Sequence, residues 1–153
     1  MARFRFKKAY LGESSTISSK NEKISTKFSI DDYFNGEKTM ENSEVRMQKT
    51  ILTDLLSNNN VDVILGADLS NQLGITNETM SHFDTSFLGV YNACSSFVEE
   101  LIVGASILGG SSIKNVACLV SSHNLAAERT FRYPIEYGGP KKSYTTFTVT
   151  GGC

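Results

Sequence analysis

Three short apolar runs, Val61–Ala67, Phe87–Tyr91 and Val116–Val120, are separated by segments long enough to hold helices. Neighbouring parallel strands need connections of that length, whereas antiparallel hairpins do not. Runs that are apolar at nearly every position suit strands buried on both faces. The stretch from Val61 to His123 therefore predicts an α/β fold with a mostly parallel sheet and right-handed crossovers. Its centre is Val90-Tyr91-Asn92-Ala93-Cys94-Ser95-Ser96, where an apolar run stops at small and polar residues. Helical spacing then begins at Phe97 and continues through Leu101, Ile102, Ala105 and Leu108. A cysteine at such a turn sits where backbone N–H groups lack intrahelical partners, a place that activates thiols and binds anions.

Around this centre the other elements are less sharply marked. Residues 1–12 alternate, with Phe4, Phe6 and Tyr10 against Arg3, Arg5 and Lys7, which predicts a first, edge-like strand. Residues 13–42 are rich in Ser, Thr, Asn, Lys and Glu and read as a long loop, with at most a short strand or helical turn near Ser29–Phe34. Glu41–Ser57 has helical spacing: Val45, Ile51, Leu52, Leu55 and Leu56 form one face, and Glu44, Arg46, Lys49 and Asp54 the other. Asn58-Asn59-Asn60 ends it, because Asn tolerates the left-handed C-terminal position. Asp68 to about His82 is expected to be helical after a tight turn, and Ser143–Val149 alternates like a strand. Residues 41–153 form the α/β core and residues 1–40 a divergent edge strand and loop, all within one domain of 153 residues.

Composition narrows the function. A net charge of −1 argues against a nucleic-acid binder, which needs a basic excess. The charge is uneven, with seven acidic residues against one basic in residues 61–128 and four basic against one acidic in residues 129–153. No apolar run reaches the length that spans a bilayer, so no transmembrane segment is expected, and the basic N-terminus lacks the apolar stretch of a signal peptide. Three cysteines without CxxC spacing favour neither a zinc site nor a disulfide framework and suit a reducing, cytosolic-type setting. Phosphate-binding glycine motifs and the GxSxG elbow are absent, and no cofactor or metal is implied.

Ligands of open α/β sheets lie beyond the carboxyl ends of the strands. Three such ends carry polar or reactive groups here: Asp68, Cys94 with Ser95, and His123. Each also has a plain reading. Asp68 can cap the following helix, Cys94 can be a small buried hydrophobe, and His123 can cap its strand. Cys118 reads as core and His82 as surface. Arg129, Arg132, Lys141 and Lys142 can form a cationic rim or remain solvated charges.

Several segments resemble the stage V sporulation protein AD family. They are Gly66-Ala67-Asp68-Leu69-Ser70-Asn71-Gln72, Leu88 through Ser96, and Ser121-Ser122-His123-Asn124. Ala127-Glu128-Arg129, Phe131-Arg132-Tyr133-Pro134, Glu136-Tyr137-Gly138-Gly139 and Thr148-Val149-Thr150-Gly151 continue the resemblance, which spans roughly residues 40–153. It implies a thiolase-like half, one of two similar halves that each contain a five-stranded sheet layered with helices. It also implies a noncatalytic protein, peripheral on the spore inner membrane, that binds dipicolinic acid during its uptake into the forespore. Other stage V sporulation proteins would be its partners there. The resemblance places a ligand pocket near Asp68, Cys94 and His123, with Ser95 at the helix start and Arg129 or Arg132 pairing with a carboxylate. Calcium, which dipicolinate chelates, could bridge ligand and Asp68.

On this reading the sequence is a fragment of a two-half protein, and the sheet face that meets the other half would favour a homodimer. Two alternatives stay open. One is an acyltransferase of the thiolase or ketoacyl-synthase type with Cys94 as nucleophile. The other is an inactive, truncated remnant.

Overall fold

A computed structural model describes residues 5–20, 22, 24–32, 34–123 and 149–153. Its centre is the parallel trio that the apolar runs predict. Strand β3 (Val63–Ala67) is buried at all five positions and lies between β4 (Ser86–Gly89) and β5 (Val116–His123), parallel to both. The start of the trio is set by Asp62. Its backbone N–H donates to Asn115 O at 3.0 Å, and its Oδ2 accepts from the N–H groups of Lys114 and Asn115 at 2.8 and 3.0 Å. Those two donors hold the Asp62 carboxyl below the usual range.

Three further strands extend the sheet, two from the segment 13–42 that reads mostly as loop and one at the end of the alternating run 143–149, of which only Val149 lies within the described residues. Strands β1 (Thr16–Ser19) and β2 (Phe28–Ile30) pair in parallel, and β6 (Val149–Gly152) runs antiparallel between β1 and β5. Among the described residues the order is β2-β1-β6-β5-β3-β4, a mixed, mostly parallel sheet of six strands layered with helices. The expected edge strand within residues 1–12 is absent from its described part, residues 5–12, where Tyr10 and Leu11 are each 87% exposed. Ile17 is the residue that enters the core, at 2% exposure. Strand β4 also differs from expectation. Among the described residues only β3 pairs with it, and Leu88 and, just beyond it, Tyr91 are about half exposed.

Helix α1 (Met40–Asn58) covers one face. Thr39 caps it, its Oγ1 accepting from Asn42 N–H at 3.1 Å. At the other end Asn59 is extended (φ −131°), not left-handed as expected, and its side-chain amide satisfies Leu55 O at 2.9 Å. Met47, Ile51, Leu52 and Leu55 pack with Ile17, Ile30, Ile64, Ala117, Leu119 and Met80 in one apolar cluster. Gly151 permits this approach: a β-carbon there would stand 3.1 Å from Ile51 Cδ1 and 3.2 Å from Ile17 Cγ2. The helix predicted over 68–82 is shorter, namely α2 (Gly74–Met80). A 3₁₀ turn precedes it, in which Gln72 and Leu73 take left-handed φ of 56° each.

Helix α3 (Ser96–Gly110) lies on the opposite face. Ser96, Glu100 and Gly104 turn inward, and a β-carbon at Gly104 would meet Val116, Leu65 and Cys118 at 3.3–3.7 Å. Phe97, Val98 and Ile102 are about half exposed. The stretch Ala93–Gly110 is long and apolar enough to cross a membrane by length and composition, although no single apolar run predicts this. In the fold it lies along β3 and β5, with the fully buried Glu100 among its residues.

Candidate ligand cleft

The carboxyl ends of β3 and β5 and the turn after β4 enclose a cleft of about 570 Å³. Ala67, Asp68 and Leu69 wall it after β3, and Ala93, Cys94, Ser96 and Phe97 at the start of α3. Val120, Ser121 and Ser122 line it from β5, and Thr16, Ile17, Gly151 and Gly152 from the adjoining strands. The lining is mostly apolar, with hydroxyls and one carboxylate as its polar groups.

Cys94 stands in a 3₁₀ turn (Ala93–Ser95) and is exposed, so the plain reading of it as a buried hydrophobe does not describe it. The turn is tight. Ala93 takes a left-handed φ of 46°, and Ser96 Oγ accepts from Asn92 N–H at 3.0 Å while donating to Ala93 O at 2.9 Å. Ser95 Oγ donates to Asn92 O at 2.9 Å. Thus Ser96, rather than Ser95, shares the cleft wall with Cys94.

Asp68 is 2% exposed and heavily hydrogen-bonded within the chain. Its Oδ1 accepts from Ser70 N–H at 2.7 Å and from the Ser70 hydroxyl, and its Oδ2 from Thr76 N–H at 2.7 Å and Thr76 Oγ1 at 2.5 Å. These bonds tie the loop after β3 to the first turns of α2, the capping role that spacing allowed.

His123 is completely buried, and the in–out alternation of β5 turns it to the α1 side with Ser121. It is not among the described residues that wall the cleft. Asp68 and Cys94 thus meet in one cavity, while His123 lies behind it. Arg129, Arg132, Lys141 and Lys142 fall outside the described residues. Among the described residues no group of His, Cys, Asp or Glu is arranged to hold a metal ion.

Sequence reasoning missed the support behind the cleft. Glu44, read as part of the polar face of α1, is 2% exposed, and Gln48 is fully buried. Burial, against the opposing hydrogen bond from Ser121, pushes the Glu44 carboxyl up to about 7. Under α3, burial and then Glu99 push Glu100 up to about 9. Burial also raises the thiols of Cys118, to about 11, and Cys153, to about 12. The signal for the first pair was present: Glu44 and Gln48 are four apart and flank Met47, on the face that Ile51 continues.

Comparison with known proteins adds family and extent. A family model described as stage V sporulation protein AD matches residues 9–153, beginning well before residue 40. The stage V sporulation protein AD of Bacillus subtilis (strain 168) is 37% identical over 120 residues, covering 75% of this chain and 36% of the relative. The chain therefore spans little more than a third of that relative's length.

Proposed function

Because this chain belongs to the stage V sporulation protein AD family, we propose that its cleft binds dipicolinic acid without transforming it. The observation that carries the proposal is the meeting of Cys94 and the α3 N-terminus with the ends of β3 and β5 around one mostly apolar cleft. A planar aromatic diacid suits such a place. Its ring lies against Phe97, Leu69 and Ile17, and a carboxylate accepts from backbone N–H groups of the helix start and from the hydroxyl of Ser122. Asp68, with four hydrogen bonds inside the chain, shapes the floor of the cleft on this reading. Arg129 or Arg132 supplies the bidentate partner of a ligand carboxylate. The chain acts at the surface of the spore inner membrane, with other stage V sporulation proteins, in the uptake of the acid.

Calorimetry with sodium dipicolinate, with and without calcium, tests this. Saturable binding that Cys94→Trp abolishes by filling the cleft is the expected result, and no binding in either condition overturns it. The exposure of Cys94 in the cleft favours acyl transfer as the second reading. Stable labelling of Cys94 by an acyl-coenzyme A analogue would decide for it.

A further inference from the structure

Two carboxylates behind the cleft wall share one hydrogen-bond relay. Gln48 of α1 donates from its amide nitrogen to Thr76 Oγ1 at 3.1 Å and to Ser121 Oγ at 2.8 Å. Each hydroxyl, having accepted from Gln48, gives its own proton to a carboxylate: Thr76 to Asp68 Oδ2 at 2.5 Å, and Ser121 to Glu44 Oε1 at 2.6 Å. The relay runs Asp68–Thr76–Gln48–Ser121–Glu44. Asp68 and Ser121 belong to the cleft wall, and Glu44 lies one hydroxyl behind it.

The two ends of the relay are not equivalent. Asp68 accepts four hydrogen bonds, whereas Glu44 accepts from Ser121 and from the backbone N–H of His123. The groups facing Glu44 are Glu41 on its own helix, Asp68 beyond β3 and His123 on β5. Arg46 of α1 turns outward to Asn35 O and Glu37, and Glu78 of α2 is at the surface beside His82.

We propose that capture of an anion in the cleft is coupled to uptake of one solvent proton by Glu44, which makes Glu44 a positioning residue for the site. This rests on the proposed binding of a dicarboxylate. An anion against Ser121 and Asp68 adds negative charge within one side chain of a buried carboxylate, where little water screens it. Protonation reverses the Glu44–Ser121 hydrogen bond. The carboxylic acid donates to Ser121 Oγ, and Ser121 keeps its own proton and turns it toward the anion in the cleft. Burial has already brought Glu44 to about 7, so the coupling operates near neutrality.

The test is calorimetry with sodium dipicolinate at about pH 7.5 in phosphate and in Tris, buffers that differ in ionisation enthalpy. The expected result is a buffer-dependent enthalpy corresponding to uptake of roughly half a proton or more per ligand, absent in Glu44→Gln. A buffer-independent enthalpy, or the same uptake in Glu44→Gln, overturns the inference and leaves the binding proposal standing. Absence of any binding overturns the binding proposal instead, and this inference with it. Carbon-13 titration of the Glu44 carboxyl in the unsubstituted protein reads the same event directly. Its midpoint rises with saturating dipicolinate if the coupling holds, and an unmoved midpoint overturns it even where Glu44→Gln fails to fold.

Discussion

Gln48 Nε2 lies 2.8 Å from Ser121 Oγ and so joins α1 to the carboxyl end of β5 across 73 residues of chain. The bond is buried, and the same nitrogen also holds Thr76 at the start of α2. One amide thus fixes three elements around the back of the cleft. Gln48→Leu keeps the volume but deprives two buried hydroxyls of their donor. It should cost about 1–3 kcal/mol in urea unfolding, the range for buried polar groups left short of a partner. A loss below about 0.5 kcal/mol would mean that the hydroxyls find other donors.

Stability should fall as pH rises across the neutral range. Glu44 and Glu100 have folded-state values raised to about 7 and about 9 from an ordinary 4.5, so the folded protein binds more protons than the unfolded chain above that value. Their favourable contribution is fully present below about 4.5 and is lost up to about 7 for Glu44 and about 9 for Glu100. The Glu44 shift alone corresponds to roughly 3 kcal/mol at most. Glu100→Gln should flatten the alkaline part of the curve, and chemical denaturation from pH 5 to 9 measures both slopes.

The three thiols should separate cleanly in the native protein. Cys94 is exposed, while burial raises Cys118 to about 11 and Cys153 to about 12. Ellman's reagent near neutral pH should therefore modify one thiol rapidly, and Cys94→Ser should remove that phase. Rapid reaction of two or three thiols would contradict this packing.

Gly66 lets α2 approach β3 closely. A β-carbon there would stand 2.7 Å from Thr76 Cγ2 and 3.0 Å from Phe87 Cε2. Gly66→Ala must displace Thr76, one of the two residues that hold Asp68. Overpacking of this kind costs about 1–3 kcal/mol. Thermal unfolding should show that loss, and dipicolinate affinity should fall with it if the floor of the cleft is set by Asp68.

The parallel trio was readable because its evidence is local: five residues of β3 are all apolar or small, and β5 is bounded by polar turns. Strand β1 was not, since Thr16-Ile17-Ser18-Ser19 has one large apolar residue, whereas β2 overlaps the short strand or turn expected near Ser29–Phe34. Strand β1 forms against β6, which pairs with it from more than 130 residues away. Only tertiary contact supplies that information. The same limit explains the site. Asp68 and Cys94 could be placed from strand ends, because the sheet rule fixes where such ends converge. His123, on the same face of β5 as Ser121, is fully buried one alternation further on and is not among the described residues that wall the cleft. Glu44 and Gln48 lie at helical spacing with Met47 and Ile51, which marks their face, but the partner that meets them there, Ser121, comes from β5.

The central claim is that the cleft between Asp68, Cys94 and Ser122 takes an aromatic diacid. Amide proton–nitrogen spectra recorded while sodium dipicolinate is added test it most directly. Shifts that saturate and are concentrated at Asp68–Leu69, Ala93–Phe97 and Ser121–Ser122 are predicted. Unchanged spectra, or shifts gathered on the outer side of α1 around Arg46 and Lys49, would contradict it.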